Sequence, residues 1–185
     1  VERLSDHWVK LDRYTIRYRR QDGGTDTLIR EVHDHGNGAS VLPYDAKRET
    51  VLLVKQFRLP PYLAGGDGFI IECCAGLLDG DEPAECARRE AEEELGFRVS
   101  KLRMVANILA SPGAVTERIA LFLGDYDHDA RIGDGGGHAH EGEDIEVLEM
   151  PFDTMRRLVK DGQIIDAKTV MLSLFLEREL GLPPL

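Results

Sequence analysis

The sequence predicts an α/β or α+β sandwich, on three observations. Apolar runs of strand length recur along the chain, three segments read as helices, one of them with clear punctuation, and strands and helices are mixed along the sequence. A length of 185 residues with 42% hydrophobic content suits one domain with a real core and a small appendage.

From the N-terminus, Trp8 to Val32 alternates in short stretches such as Tyr14-Thr15-Ile16-Arg17-Tyr18, interrupted at Gln21-Asp22-Gly23-Gly24. That pattern predicts a hairpin. Asp34 to Gly38 is a polar, glycine-bearing break. Residues 1–40 are therefore expected to form an N-terminal β region, and residues 41–185 the main domain. Val51 to Val54 reads as a buried strand continuing to Arg58, Pro60 to Gly68 as a loop, and Phe69 to Cys74 as a second strand ending at Ala75-Gly76.

A helix follows. Pro83 suits its first turn and Gly96 its stop. Ala84, Ala87, Ala91 and Leu95 make one narrow apolar stripe of mostly small side chains, which predicts close packing on a sheet. Leu102 to Leu109, Ile119 to Leu123 and Ile145 to Leu148 read as strands. Gly133 to Glu143 reads as a loop, and Phe152 to Lys160 and Thr169 to Leu180 as helices.

The net charge is −11. This argues against nucleic acid or an anionic membrane as partner, since both reward clustered Lys and Arg. An acidic protein handling an anionic substrate needs local neutralisation, and a divalent cation held by carboxylates supplies it. Cys73, Cys74 and Cys86 form no even-numbered framework and are expected to be reduced and buried, with Cys73 and Cys74 on opposite faces of a strand. The sequence shows no 18-residue apolar run and no signal-peptide pattern, so a cytoplasmic location is expected.

The chemistry concentrates at the end of the first helix, in Arg89-Glu90-Ala91-Glu92-Glu93-Glu94. Glu90 and Glu94 are one turn apart and share a face, with Glu93 beside them and Glu92 turned away. Two such carboxylates can reach one hard cation. The alternative is a solvated charged face. Energetics alone leave both open, since a like-charge i,i+4 pair costs only about 0.2–0.5 kcal/mol and acid at the wrong end of the helix dipole about 0.3–1 kcal/mol.

The wider spacing favours the metal site. Gly76, Glu82, Arg89, Glu90, Glu93, Glu94, Gly96 and Phe97 resemble the Nudix box, G-x5-E-x7-R-E-U-x-E-E-x-G-U, with U aliphatic or aromatic. One departure is that six residues, not seven, separate Glu82 from Arg89; the spacing inside the helix is intact. The flanks Arg30-Glu31-Val32, Lys55-Gln56-Phe57-Arg58, Cys74-Ala75-Gly76 and Ser111-Pro112-Gly113 further resemble the GDP-mannose pyrophosphatases of that superfamily, in which the shortened box also occurs. Pro112, fifteen residues after Phe97, matches the nucleoside diphosphate sugar branch, which includes ADP-ribose hydrolases.

The resemblance implies a Nudix α/β/α sandwich with a mixed sheet, and N-terminal strands that contribute to a homodimer. It implies an Mg2+-dependent pyrophosphohydrolase, with Mn2+ as a substitute. The metal ligands would be the Ala75 carbonyl, Glu90, Glu94 and Glu143. Glu93 would be a further ligand or orient water, and Arg89 would hold a box glutamate in place. Glu143 is the candidate for the extra catalytic acid, with Glu141 competing, and Gly135-Gly136-Gly137 would let that loop move over the substrate. His138 and His140 are not assigned to metal. For the substrate, Arg58 fits a phosphate clamp, and Ala75, Gly76 and Leu77 are expected among the substrate-binding residues. Arg30 and Glu31 match substrate-contacting positions. Glu117 would meet sugar hydroxyls or help bind metal, and Lys168, ahead of the last helix, would reach the nucleotide. Trp8 would stack on the base or serve packing. GDP-mannose is the expected substrate, ADP-ribose the alternative. A non-catalytic binding module is disfavoured because the box carboxylates are all present.

Overall fold

The computed structural model describes residues 1–138, 142 and 144–183. An N-terminal antiparallel sheet is built from β1 (Glu2–Asp6), β2 (Lys10–Arg19) and β3 (Thr25–Asp34), in that order. The expected hairpin is β2–β3, its register running from Lys10↔Asp34 to Arg19↔Thr25; β1 is an addition the alternation did not announce. The chain enters the main sheet at β4 (Gly38–Asp45), so the boundary expected at residue 40 falls inside a strand.

The main sheet adds β5 (Thr50–Phe57), β6 (Phe69–Glu72), β7 (Cys74–Leu77), β8 (Ser100–Leu109), β9 (Arg118–Asp125) and β10 (Glu146–Pro151). Its path is β10-β5-β4-β9-β8, with β6 on β5 and β7 on β4. It is mixed: β4 runs parallel to β9, the other pairs antiparallel.

Sequence reading missed β4, the central strand, which begins at the glycine-bearing break and carries a proline, Pro43. The register explains the proline. One edge of β4 is divided between β7, which takes Gly38 to Val41, and β5, which takes Tyr44 and Asp45. Pro43 lies at the hand-over, where the missing N–H has no ladder to interrupt.

The strand expected from Phe69 to Cys74 is likewise two. β6 follows β5, β7 follows β4, and between them the Cys73 N–H leaves the sheet to donate to Thr169 Oγ1 at 2.7 Å. This crossing delivers Ala75, Gly76 and Leu77 to the middle of the sheet.

Side-chain alternation builds two cores. Ala39, Val41, Leu52, Val54, Cys74 and Phe122 face one helix, α2 (Pro83–Glu90), and its continuation to Leu95, through Cys86, Ala87, Ala91 and Leu95. Leu42, Val51, Leu53, Cys73, Leu121 and Leu123 face α3 (Phe152–Lys160) and α4 (Ala167–Glu179), through Phe152, Met155, Leu172 and Leu176. The expected α/β/α sandwich follows. Cys73 and Cys74 indeed point to opposite cores, and all three thiols are free and buried. Burial pushes each of them up, Cys86 to about 11. A short helix, α1 (Leu59–Leu63), occupies part of the loop expected after Arg58. Among the described residues, no helix is long and apolar enough to cross a membrane.

Candidate active site

The acidic helix does not end as a regular α-helix. Beyond Glu90 the chain widens into a π turn, Ala91–Leu95, closed by Gly96 with φ of 76°. Burial sorts the four acids. Glu90 and Glu94 are 8% and 2% exposed, whereas Glu92 is at the surface near Arg98. The Glu93 side chain is 31% exposed. The shared inner face expected of Glu90 and Glu94 is thus present.

Two buried carboxylates need donors or counter-charge. Glu94 Oε2 accepts the Ala75 N–H at 3.2 Å. Glu90 Oε1 lies 2.8 Å from Arg89 Nη1. Arg89 also reaches Glu93 Oε2 at 3.2 Å, Asp81 Oδ2 at 3.4 Å and the Leu77 carbonyl at 3.1 Å. Burial pulls the Arg89 pKa down, but Glu90 and Glu93 outweigh it and hold the guanidinium above its ordinary range. The expected i,i+4 link to Glu93 is one of several, so Arg89 ties the helix to the β7 main chain.

Gly76 is a glycine because of Glu90. A Cβ there would sit 1.9 Å from Glu90 Oε1, so any side chain would drive the carboxylate off the strand.

The glycine run after the helix packs against the helix end. Gly136 N–H donates to the Glu94 carbonyl at 2.8 Å and Gly137 N–H to the Glu93 carbonyl at 3.2 Å. These amides cap carbonyls at the helix end, where the helix itself supplies no donors, and they offset acids at the unfavourable end of the dipole. Gly136 and Gly137 therefore cap the helix, a role that sequence reading did not assign to them. His138 Nε2 stands 3.6 Å from Glu93 Oε1. Glu143, the candidate extra acid, lies outside the described residues, as do Glu141 and His140.

A cavity of about 370 Å³ opens against β7. It gathers Trp8, Arg58, Ala75, Gly76, Leu77, Glu117 and Lys168, seven residues nominated from distant parts of the sequence. Glu90 and Glu94 do not line it; they meet its wall through Gly76 and Ala75. Arg30 and Glu31 are not brought to the cavity. They lie on exposed β3, where Arg30 donates to the Ile29 carbonyl and Glu31 pairs with Arg13 at 3.0 Å. Lys168 lies within the first turn of α4, not before it.

Sequence reading missed three contributors. His35 stacks beneath Trp8 at 5.6 Å and 15°, holding the indole over the cavity, and its Nε2 is 3.9 Å from Glu117. Glu72 and Asp166 hold Lys168 at 2.9 and 2.8 Å. No motif flagged these; the one available signal was an acid, Glu72, within the strand read from Phe69 to Cys74. The Ser111-Pro112-Gly113 turn secures the N-terminal sheet, since His33 N–H donates to the Ala114 carbonyl at 2.8 Å and Thr116 Oγ1 to Asp34 at 2.9 Å.

The model for the NUDIX domain matches residues 34–171. The chain belongs to the Nudix family. A second model, for the GDP-mannose pyrophosphatase NudK N-terminal domain, matches residues 1–33 of this Nudix protein. The two matches meet where β3 ends. A GDP-mannose pyrophosphatase of Pectobacterium atrosepticum is 46% identical over 170 residues, covering 91% of this chain and 87% of that protein. GDP-mannose pyrophosphatases of Escherichia coli O139:H28 and Shigella boydii serotype 4 are each 46% identical over 175 residues, covering 94% of this chain and 91% of theirs.

Nudix hydrolases generally use divalent metal ions. The donor set here fits one. Buried carboxylate oxygens of Glu90 and Glu94 beside the Ala75 main chain are hard oxygen ligands, which suit such an ion. Among the described residues no three His, Cys, Asp or Glu side chains converge as a complete cage. The ion would then rely on main chain, water or substrate oxygens for the rest of its shell, a common arrangement for Mg2+.

Proposed function

We propose that this Nudix protein hydrolyses the pyrophosphate bond of GDP-mannose, giving GMP and mannose 1-phosphate, with Mg2+ as the ion and Mn2+ able to replace it. The observation that carries this reading is the cavity itself. It brings an aromatic ledge, two cations and the β7 main chain together directly over the buried box glutamates. The 46% identity with GDP-mannose pyrophosphatases along nearly the whole chain supports the choice of nucleotide sugar.

The residues divide the work by chemistry. Glu90, Glu94 and the Ala75 carbonyl hold the ion, with Glu143 as a further ligand. A bound divalent ion neutralises phosphate charge and makes water a better nucleophile. Arg58 and Lys168 bind phosphate oxygens, and a guanidinium offers several donors in one plane. Trp8, braced by His35, stacks on the base, and Glu117 meets sugar hydroxyls. Glu93 orients the attacking water while Arg89 fixes Glu93. Glu143 accepts the proton, with Glu141 the competitor.

The N-terminal sheet supports a homodimer. Ile16, Tyr18 and Ile29 are exposed on it, and a small sheet with uncovered apolar side chains gains from a partner. Arg30 and Glu31 would then serve the partner subunit's cavity. Three buried reduced thiols suit a cytoplasmic location.

The test is a panel of GDP-mannose, ADP-ribose, GDP-glucose and diadenosine polyphosphates with Mg2+, scored by the phosphate esters released. GDP-mannose should give the highest kcat/KM. Faster turnover of ADP-ribose would overturn the substrate assignment.

A further inference from the structure

One buried carboxylate belongs neither to the box nor to the residues assigned above. Glu72 closes β6 and is 2% exposed. Both of its oxygens are engaged: Oε1 accepts from Arg58 Nε at 2.7 Å, and Oε2 from Lys168 Nζ at 2.9 Å. Arg58 follows β5 and Lys168 opens α4, so the two cations come from elements separated by most of the domain. Asp166, the N-cap of α4, holds Lys168 Nζ from a second side at 2.8 Å while accepting the Thr169 N–H at 3.0 Å.

The donor count is instructive. A guanidinium has five N–H groups and an ammonium three. Glu72 takes only the Nε–H of Arg58, and neither Nη group makes a hydrogen bond among the described residues. Lys168 gives two N–H groups to Glu72 and Asp166 and keeps one. Both cations line the cavity. A long cation is normally costly to order, and here that ordering precedes any ligand.

We propose that Glu72 is a positioning residue that presets Arg58 and Lys168 as a two-pronged clamp for the diphosphate of a nucleotide. It acts through the two cations and touches neither substrate nor metal. The inference rests on the reading that the cavity takes a nucleoside diphosphate. A purely architectural ion pair would instead serve only to join β6 to α4.

The test compares wild type, Glu72→Gln, the double variant Arg58→Met/Lys168→Met, and the triple variant. GDP binding is measured by calorimetry, GDP-mannose turnover by KM and kcat, and Mn2+ binding by electron paramagnetic resonance. Glu72→Gln should weaken GDP binding and raise KM by roughly 10- to 100-fold, the range for losing one or two charge-assisted hydrogen bonds. Mn2+ affinity should be unchanged. In the double-variant background, adding Glu72→Gln should cost nothing further in GDP binding. A full loss there, or unaltered GDP binding in the single variant, would overturn the proposal. If Glu72→Gln does not fold, the Arg58 Nε–H resonance of wild type decides. It should persist through a GDP titration while the Nη signals shift, and its loss on binding would mean that the pair breaks rather than positions. Wild type that neither binds GDP nor turns over any nucleotide sugar would instead refute the functional reading itself.

Discussion

The box helix and the N-terminal sheet carry the same kinds of charge and use them in opposite ways. At the helix end, Glu90 and Glu94 are buried, and each is fixed against a specific strand atom or guanidinium. On the sheet, Arg3 pairs with Asp6 and Asp12, Arg13 with Glu2 and Glu31, and Arg20 with Asp22 and Asp26, mostly in the open. Exposed pairs are screened and contribute little, while a buried carboxylate forces its surroundings to accommodate it. Charge count alone is therefore a poor guide to importance; burial decides.

The sharpest way to test that contrast is Glu94→Gln. It should lower kcat on the order of a hundredfold or more, as expected for a metal-site group, while the circular dichroism spectrum stays native. Unchanged turnover would remove Glu94 from the site. Next is Gly76→Ala, whose Cβ would overlap Glu90 Oε1. Overpacking of this kind costs about 1–3 kcal/mol, and the displaced carboxylate should also abolish most activity. Thermal unfolding and kinetics together check both effects. Arg89→Met comes third, with an expected fall in kcat of about 10- to 100-fold and a weaker requirement met at higher Mg2+ if Glu90 and Glu93 are merely loosened.

Burial also sets a pH dependence. The thiols have raised pKa values in the folded state, so the native protein keeps protons that the unfolded chain releases above the ordinary thiol value of 9.0. Stability from this source is intact below about 9 and falls as pH rises, for Cys86 through about 11. Tm measured from pH 8 to 11 should decline, and a Cys86→Ala variant should decline less. At the small end, Arg13→Ala should leave Tm and monomer activity essentially unmoved. A marked drop in Tm for Arg13→Ala would break the contrast between the two regions. Ile29→Lys tests the sheet differently: if its apolar side chains meet a partner, sedimentation should show a monomer.

The same contrast explains what the sequence disclosed. The box was legible because its geometry is local: Glu90 and Glu94 are one turn apart, and Gly76 reaches them through a short connection. The strands at Val51 and Ile119 were legible because continuous apolar runs report burial on both faces. β4 was not, because Pro43 is tolerated only where two partner strands divide one edge, a tertiary circumstance no local pattern encodes. Glu72 escaped for a related reason: its partner Lys168 is 96 residues away. Asp166 is only two residues from Lys168 and was passed over because the last helix was read as starting at Thr169. The placement of Arg30 and Glu31 was read from likeness alone, and within one chain they stay on the outer sheet.

The glycine cap has a consequence for how members of such a family diverge. Gly136 and Gly137 hold the carbonyls of Glu94 and Glu93, two of the residues proposed to serve the reaction. Gly135 could carry no side chain there, since a Cβ would press on the Glu94 carbonyl at 2.5 Å. The helix end and the segment at 135–137 thus form one inheritable cassette. A chimera that imports a foreign loop without these three glycines would tilt the box helix, whereas one that transplants both pieces together would keep it in register.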